Sequence, residues 1–199
     1  MSALFDRLST LFAQSEHVGM KGMRDESAFA RGTIRPAAVL MAVTDRAEPG
    51  ILLTLRPETM AHHPGQIAFP GGKMEHGEDA ITAALREAEE ELSIPPEQVR
   101  VVGEATMFRT GSGYDLTPVL GMVPHDITIR PDPREVAGWF EAPLRHVLDP
   151  VNHVQKTGLF RGIERTYTEI EWDGHRIWGI TAGILTNLSH RLAWQELLR

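Results

Sequence analysis

Three glutamates at positions 87, 90 and 91 fall at i, i+3 and i+4, the spacing that turns side chains to one side of an α-helix. They lie in the stretch Gly71–Ile94, GGKMEHGEDAITAALREAEEELSI, where a glycine turn precedes the helical pattern. Ile81, Ala84, Leu85, Ala88 and Leu92 gather on another side, so the helix is anchored along one stripe and acidic along the other. Like charges at this spacing repel and weaken a helix, and three carboxylates held together ask for a compensating cation. Carboxylate oxygens are hard donors that suit Mg²⁺ or Mn²⁺. An acidic helix face is also, by itself, an ordinary solvated surface, so the surrounding residues decide between the two readings.

The flanking elements are those needed to hold such a helix. Gly71 and Gly72 permit backbone conformations closed to other residues and let a ligand approach the main chain. The helix is expected to begin near Gly77-Glu78, with Glu78 and Asp79 against its N-terminal dipole, and to end before Pro95-Pro96. Before it, AAVLMAV after Arg35-Pro36 and ILLTLR at Ile51–Arg56 predict an antiparallel strand pair around a DRAEPG turn, and GQIAF at Gly65–Phe69 a brief strand. After it, strands are predicted over Val99–Met107, Leu116–Val123, Ile127–Pro133 and Val136–Phe140. Tyr114 and Asp115 are expected in a loop, and Pro118 is expected to mark an edge or a bend. Pro143–Leu148 predicts a short helix. Asp173-Gly174 predicts a hairpin between Thr166–Trp172 and Arg176–Trp178, and the spacing from Ile180 to Leu197 predicts a C-terminal helix. At the other end, Ala3–Gln14 carries Leu4, Phe5, Leu8, Leu11 and Phe12 at helical spacing, a docking helix, and residues 16–32 read as a connection.

At 199 residues, 42% hydrophobic and 24% charged, the composition is that of a single globular domain, residues 1–199, with residues 1–34 as an N-terminal helical extension. A net charge of −7 argues against a nucleic-acid or anionic-membrane surface. The absence of cysteine excludes disulfides, thiolate metal sites and a cysteine nucleophile. With no signal-peptide core and no long apolar run, a cytoplasmic location is expected.

The array of Gly72, Glu78 and then REAEEELSI from Arg86 to Ile94 strongly resembles the Nudix box, and the chain is identified as a member of the Nudix hydrolases. One position departs, Ser93 standing where the family has a glycine. A left-handed helix end there costs a serine about 1 kcal/mol. The resemblance implies an α/β Nudix fold, a mixed β-sheet sandwiched between α-helices. It makes Glu87, Glu90 and Glu91 the expected ligands of Mg²⁺ (or Mn²⁺), Glu78 an outer or structural group, and Arg86 a residue that orients the carboxylates. It implies hydrolysis of a nucleotide-linked pyrophosphate, in which metal neutralises phosphate oxygens and acidifies a bound water. Glu135, in the segment REVAGWF, is the corresponding candidate for catalytic base or additional ligand.

A second stretch, LLTLRPETMAHHPGQIAFPGG at Leu52–Gly72, resembles the signature of the coenzyme A pyrophosphatase branch, as does HRIWGITAGIL at His175–Leu185. This resemblance implies cleavage of coenzyme A or its derivatives into 3′,5′-ADP and 4′-phosphopantetheine. Arg56, Gly71, Gly72 and Lys73 are expected on the substrate side. Pro57 and Ala61 depart from the signature, and Ala61 removes an arginine suited to a substrate phosphate; His63, beside His62, is the candidate substitute. Trp178 is expected in the core rather than as a base-stacking platform. A homodimer is compatible with the chain. Two other readings stay open: cleavage of another nucleoside diphosphate derivative, such as ADP-ribose or a dinucleotide, and a Nudix-fold binding module without catalysis.

Overall fold

The computed structural model describes residues 2–23, 26, 33–59, 65–160 and 162–197. In chain order the elements are α1 (Ala3–Ala13), β1 (Arg35–Thr44), β2 (Gly50–Leu55), β3 (Ile67–Ala68), β4 (Gly71–Lys73), α2 (Ala80–Leu92), β5 (Arg100–Glu104), β6 (Phe108–Arg109), β7 (Tyr114–Val123), β8 (Gly138–Pro143), α3 (Leu144–Leu148), β9 (Val154–Phe160), β10 (Ile163–Trp172), β11 (His175–Trp178), α4 (Ile180–Arg191) and α5 (Trp194–Leu197). Eight strands form a mixed sheet of order β3-β2-β1-β7-β5, with β4 also on β1, β6 on β7 and β8 on β2. The strands β9, β10 and β11 form a separate antiparallel sheet.

The apolar run of β1 reads as a strand covered on both faces. Its alternate residues supply two cores, Ala37, Met41 and Val43 on one face and Ala38, Leu40 and Ala42 on the other. The first core is filled from α1, α3, α4, α5 and the small sheet, through Leu8, Phe12, Leu144, Ile170, Ile177, Leu185 and Leu197. The second is filled by α2, through Ala80, Ala83, Ala84, Ala88 and Leu92. The sheet therefore lies between helices in the α/β arrangement. Alanines on both sides of the α2–β1 contact let the helix approach the strand closely.

Several local expectations are corrected. Asp79 is the N-cap of α2, its Oδ1 accepting from the Thr82 N–H at 2.7 Å, so the helix starts two residues later than Glu78. Residues 127–133 form no strand, because Pro131 and Pro133 lack donors and the amides of Arg130 and Asp132 bond the end of α2 instead. Tyr114 and Asp115 begin β7, which is interior, paired in parallel with β1 over ten positions and antiparallel with β5 and β6 on its other side. Pro118 sits in that interior strand without loss. Its carbonyl accepts from Ala105 N–H at 2.8 Å, so its missing donor faces the break between β5 and β6. The C-terminal helix is divided at Ala193, whose φ of +41° cannot continue a right-handed helix. The Asp173-Gly174 turn forms as expected, both residues at positive φ. No helix among the described residues is long and apolar enough to cross a membrane.

Gly71 packs β4 against β1. At φ +153°, a side-chain carbon there would press on the carbonyl of Ala38 and lie 2.6 Å from the Cα of Val39. Gly71→Ala is therefore expected to cost about 2 kcal/mol or more, read as a lowered urea midpoint. An unchanged midpoint would mean that β4 does not lie this close to β1.

Candidate functional site

The paired strands β1 and β4 carry α2 across them. From α2, Glu87 and Glu91 point toward the glycine turn, and Glu135, from the irregular segment after β7, reaches the same place. Carboxylate oxygens of Glu87, Glu91 and Glu135 lie within 4.8 Å of one another. Gly72 makes room for this group, since a Cβ there would stand 2.5 Å from Glu87 Oε1. The Gly71 N–H donates to Glu91 Oε2 at 3.3 Å.

Burial separates the three. Glu91 is 7% exposed, Glu87 is half-buried and Glu135 is exposed. Burial and the neighbouring Glu87 charge push the Glu91 carboxyl up to about 8, against the Gly71 hydrogen bond and the positive charge of Arg56. Burial also raises Glu87, opposed by its hydrogen bond from Arg86. Three oxygen-donor carboxylates that repel in this way suit a hard divalent cation.

Arg86 is the hub beside the cluster. Its Nε and Nη2 donate to both oxygens of Glu78 at 2.8 and 3.1 Å, its Nη1 to Glu87 at 3.1 Å and Glu90 at 2.9 Å, and its Nη2 to the Lys73 carbonyl at 3.0 Å. The bidentate bond from Arg86 holds Glu78 below the usual carboxylate range. Glu90, its side chain 50% exposed, is drawn into this i,i+4 pair and does not join the group of Glu87, Glu91 and Glu135. It stays on the same side of α2, at the rim.

Arg56 follows β2, held by its own N–H to Gln66 and by its carbonyl to Gly65 N–H. It is half-buried, and its Nε is buried with no hydrogen-bond partner among the described residues. An arginine donor left over in this way, beside Glu91 and the glycine turn, is available to an anionic ligand. Lys73 is exposed. Ala61, His62 and His63 lie outside the described residues. Trp178 is half-buried rather than in the core, packed edge-on against Tyr167 with Arg176 4.9 Å above its ring.

Spacing along the sequence did not reveal how Glu135 is delivered. Its segment is tied to the end of α2 by Arg130 N–H to the Leu92 carbonyl at 2.9 Å and Asp132 N–H to the Glu91 carbonyl at 3.0 Å. Arg134 clamps Asp132 and holds that carboxyl down to about 2. The signal in the sequence was the Pro-Asp-Pro-Arg run, which suits a fixed turn better than a strand.

The Glu91 shift sets a pH dependence. The native state holds a proton that the unfolded chain, with its ordinary value of 4.5, releases. That contribution is complete below 4.5 and is lost as pH rises through about 8. Melting temperatures of the protein stripped of divalent ions should therefore fall across this window, and fall less in Glu91→Gln. Equal slopes in the two proteins would show that Glu91 does not carry the proton.

The NUDIX domain matches residues 34–160, more than half of the chain. The uncharacterized Nudix hydrolase NudL of Escherichia coli (strain K12) is 40% identical over 157 residues, which are 78% of this chain and 81% of that protein. NudL of Yersinia pestis (strain Pestoides F) is 38% identical over 169 residues, 84% of each chain. Among solved structures, a Nudix hydrolase from M. smegmatis, RenU, aligns with a TM-score of 0.49 at 24% identity, covering 59% of this chain and 75% of that one. The chain belongs to the Nudix hydrolase family, whose members act on nucleotide pyrophosphates and generally use a divalent metal.

Proposed function

We propose that this chain is a cytoplasmic pyrophosphatase that cleaves coenzyme A or its derivatives into 3′,5′-ADP and 4′-phosphopantetheine, with Mg²⁺ or Mn²⁺. The observation that carries the hydrolytic reading is the convergence of Glu87, Glu91 and Glu135 within 4.8 Å beside the buried Nε of Arg56, which has no hydrogen-bond partner among the described residues. The coenzyme A reading rests on the signature residues from Leu52 to Gly72, which run through β2, β3 and β4 to the edge of that cluster.

Glu87, Glu91 and Glu135 would hold the cation, with Glu90 at the rim available as a further oxygen donor. When bound, the cation neutralises the phosphate oxygens and acidifies the attacking water. Arg56 binds a non-bridging phosphate oxygen through its guanidinium and orients the diphosphate. The glycine turn serves the carboxylates instead: the Gly71 N–H is engaged by Glu91 Oε2, and Gly72 pairs with Ala38 in the β1–β4 ladder beneath Glu87. Water attacks one phosphorus, the bridging P–O bond breaks, and the second phosphate leaves as a monoester. Glu135, the exposed carboxylate of the three, accepts the proton from the water. Arg86 does not touch the substrate in this scheme. It fixes the rotamers of Glu87 and Glu90 and, through the Lys73 carbonyl, the end of the glycine turn.

A panel of coenzyme A, its oxidised and acylated forms, ADP-ribose and dinucleotides, incubated with Mg²⁺ and analysed for products, tests the substrate. Release of 3′,5′-ADP is expected. Cleavage of only ADP-ribose or dinucleotides would favour the second reading, for which Ala61 in place of an arginine speaks. Cleavage of nothing would favour the binding module. Glu91→Gln is expected to lower kcat by about 10² or more with the fold retained. Glu135→Gln should lower kcat by about 10² with less change in KM. A Glu135→Gln enzyme with normal kcat would return proton transfer to the carboxylates of α2.

A further inference from the structure

Ser93 ends α2 in a left-handed conformation, φ +56° and ψ +37°. Its N–H bonds the carbonyl of Glu89 at 2.9 Å, and the next amide, of Ile94, bonds Ala88 at 3.3 Å. Glycine takes this conformation without strain, whereas an L-residue is disfavoured there by about 1 kcal/mol. The serine does what a glycine cannot: its Oγ donates to the carbonyl of Arg130 at 3.0 Å.

That bond falls at a sensitive place. Residues 130–135 have no strand partner among the described residues. On the side of α2 they are held by Arg130 N–H to Leu92, Ser93 Oγ to Arg130 and Asp132 N–H to Glu91, three bonds within three residues. From Asp132 the chain turns tightly, its carbonyl accepting from Glu135 N–H at 3.0 Å and Val136 N–H at 2.9 Å, and Ala137 N–H then joins the Leu55 carbonyl at 2.8 Å. Glu135 is thus placed by a short turn whose footing is the end of α2, the same helix that supplies Glu87 and Glu91.

We propose that Ser93 is a positioning residue for Glu135: its bond to the Arg130 carbonyl holds residues 130–135 on the end of α2 and so sets the Glu135 carboxylate against those of Glu87 and Glu91. The consequence for metal binding rests on the proposed role of Glu135, and the test separates the two. Ser93→Ala keeps the left-handed strain and loses the bond; Ser93→Gly relieves the strain and loses the bond. With the full chain and Mn²⁺ as the probe, both substitutions are expected to weaken binding by a similar factor, about two- to tenfold, the range of one hydrogen bond. Neither should weaken it further in a Glu135→Gln background. Amide hydrogen exchange at Asp132, Glu135 and Val136 should quicken in both. Ser93→Gly should melt above Ser93→Ala, so that weaker Mn²⁺ binding in the glycine variant is not loss of fold. Wild-type Mn²⁺ affinity together with wild-type exchange in Ser93→Gly would overturn the proposal and leave Ser93 as a helix terminator. If Glu135→Gln by itself leaves Mn²⁺ binding unchanged, the role of Glu135 fails separately. The three amides then decide: faster exchange in Ser93→Gly supports the tether, and unchanged exchange overturns it.

Discussion

Three carboxylates brought within 4.8 Å of one another, one of them nearly out of water, form the constraint to which the surrounding structure answers. Mutual repulsion and lost hydration both oppose it, and the raised pKa values of Glu87 and Glu91 express that opposition. The protein offsets part of it with donors it can fix in place: Arg86 on Glu87, the Gly71 amide and the Arg56 charge on Glu91. Arg86 is itself fixed from the far side by Glu78 and Lys73. A guanidinium serves here where an ammonium would not, because its planar fork reaches four residues in fixed directions. What remains unbalanced is negative charge at the mouth of the cluster, the charge that a divalent cation complements.

Small residues let that geometry exist. Ala38 and Ala42 of β1 face Ala80, Ala83, Ala84 and Ala88 of α2 in one core, and Gly72 lies under the Glu87 carboxylate. Larger side chains between helix and strand would lift α2 and carry Glu91 away from the Gly71 amide. The other face of β1 has no such restriction and is filled with leucine, phenylalanine and isoleucine. One strand therefore has two jobs, close approach on the side of the chemistry and bulk on the other, and its alternation of residue types reflects them.

This division also explains which features were legible in the sequence. The helix carrying Glu87, Glu90 and Glu91, the glycine turn and the Asp173-Gly174 hairpin are written in local patterns, periodicity and positive-φ residues. Glu135 was reachable only through resemblance to a family, since nothing near it in sequence says which helix it will meet. Glu90 and Glu135 exchange places for the same reason: i,i+4 spacing put Glu90 with its neighbours, but the spacing equally suits a pair with Arg86, and a remote segment occupies the inner position. Residues 127–133 misled because apolar alternation does not show whether backbone amides will bond a strand or a helix end. Pro118 misled because the break between β5 and β6 that accommodates it lies in another part of the chain.

The last helix shows how distant sequence bears on the glycine turn. Near the start of α4, Thr181 Oγ1 donates to the Ile67 carbonyl at 2.9 Å, fixing β3 just ahead of Pro70, Gly71 and Gly72. At its other end Arg191, 5% exposed, bonds Asn187, Ser15, Thr106 and the Gly19 carbonyl, with its guanidinium 5.4 Å from the Phe12 ring. Among the described residues no carboxylate hydrogen-bonds it, and burial lowers its pKa against the charge of Glu16, so neutral oxygens and an aromatic face make its direct contacts. Such a site tolerates little displacement of any partner. It locks α1 and the segment after it onto α4, and α4 in turn onto β3. The N-terminal helix, expected as a docking element, thereby sits at one end of a strut whose other end is the strand leading into the substrate-side turn.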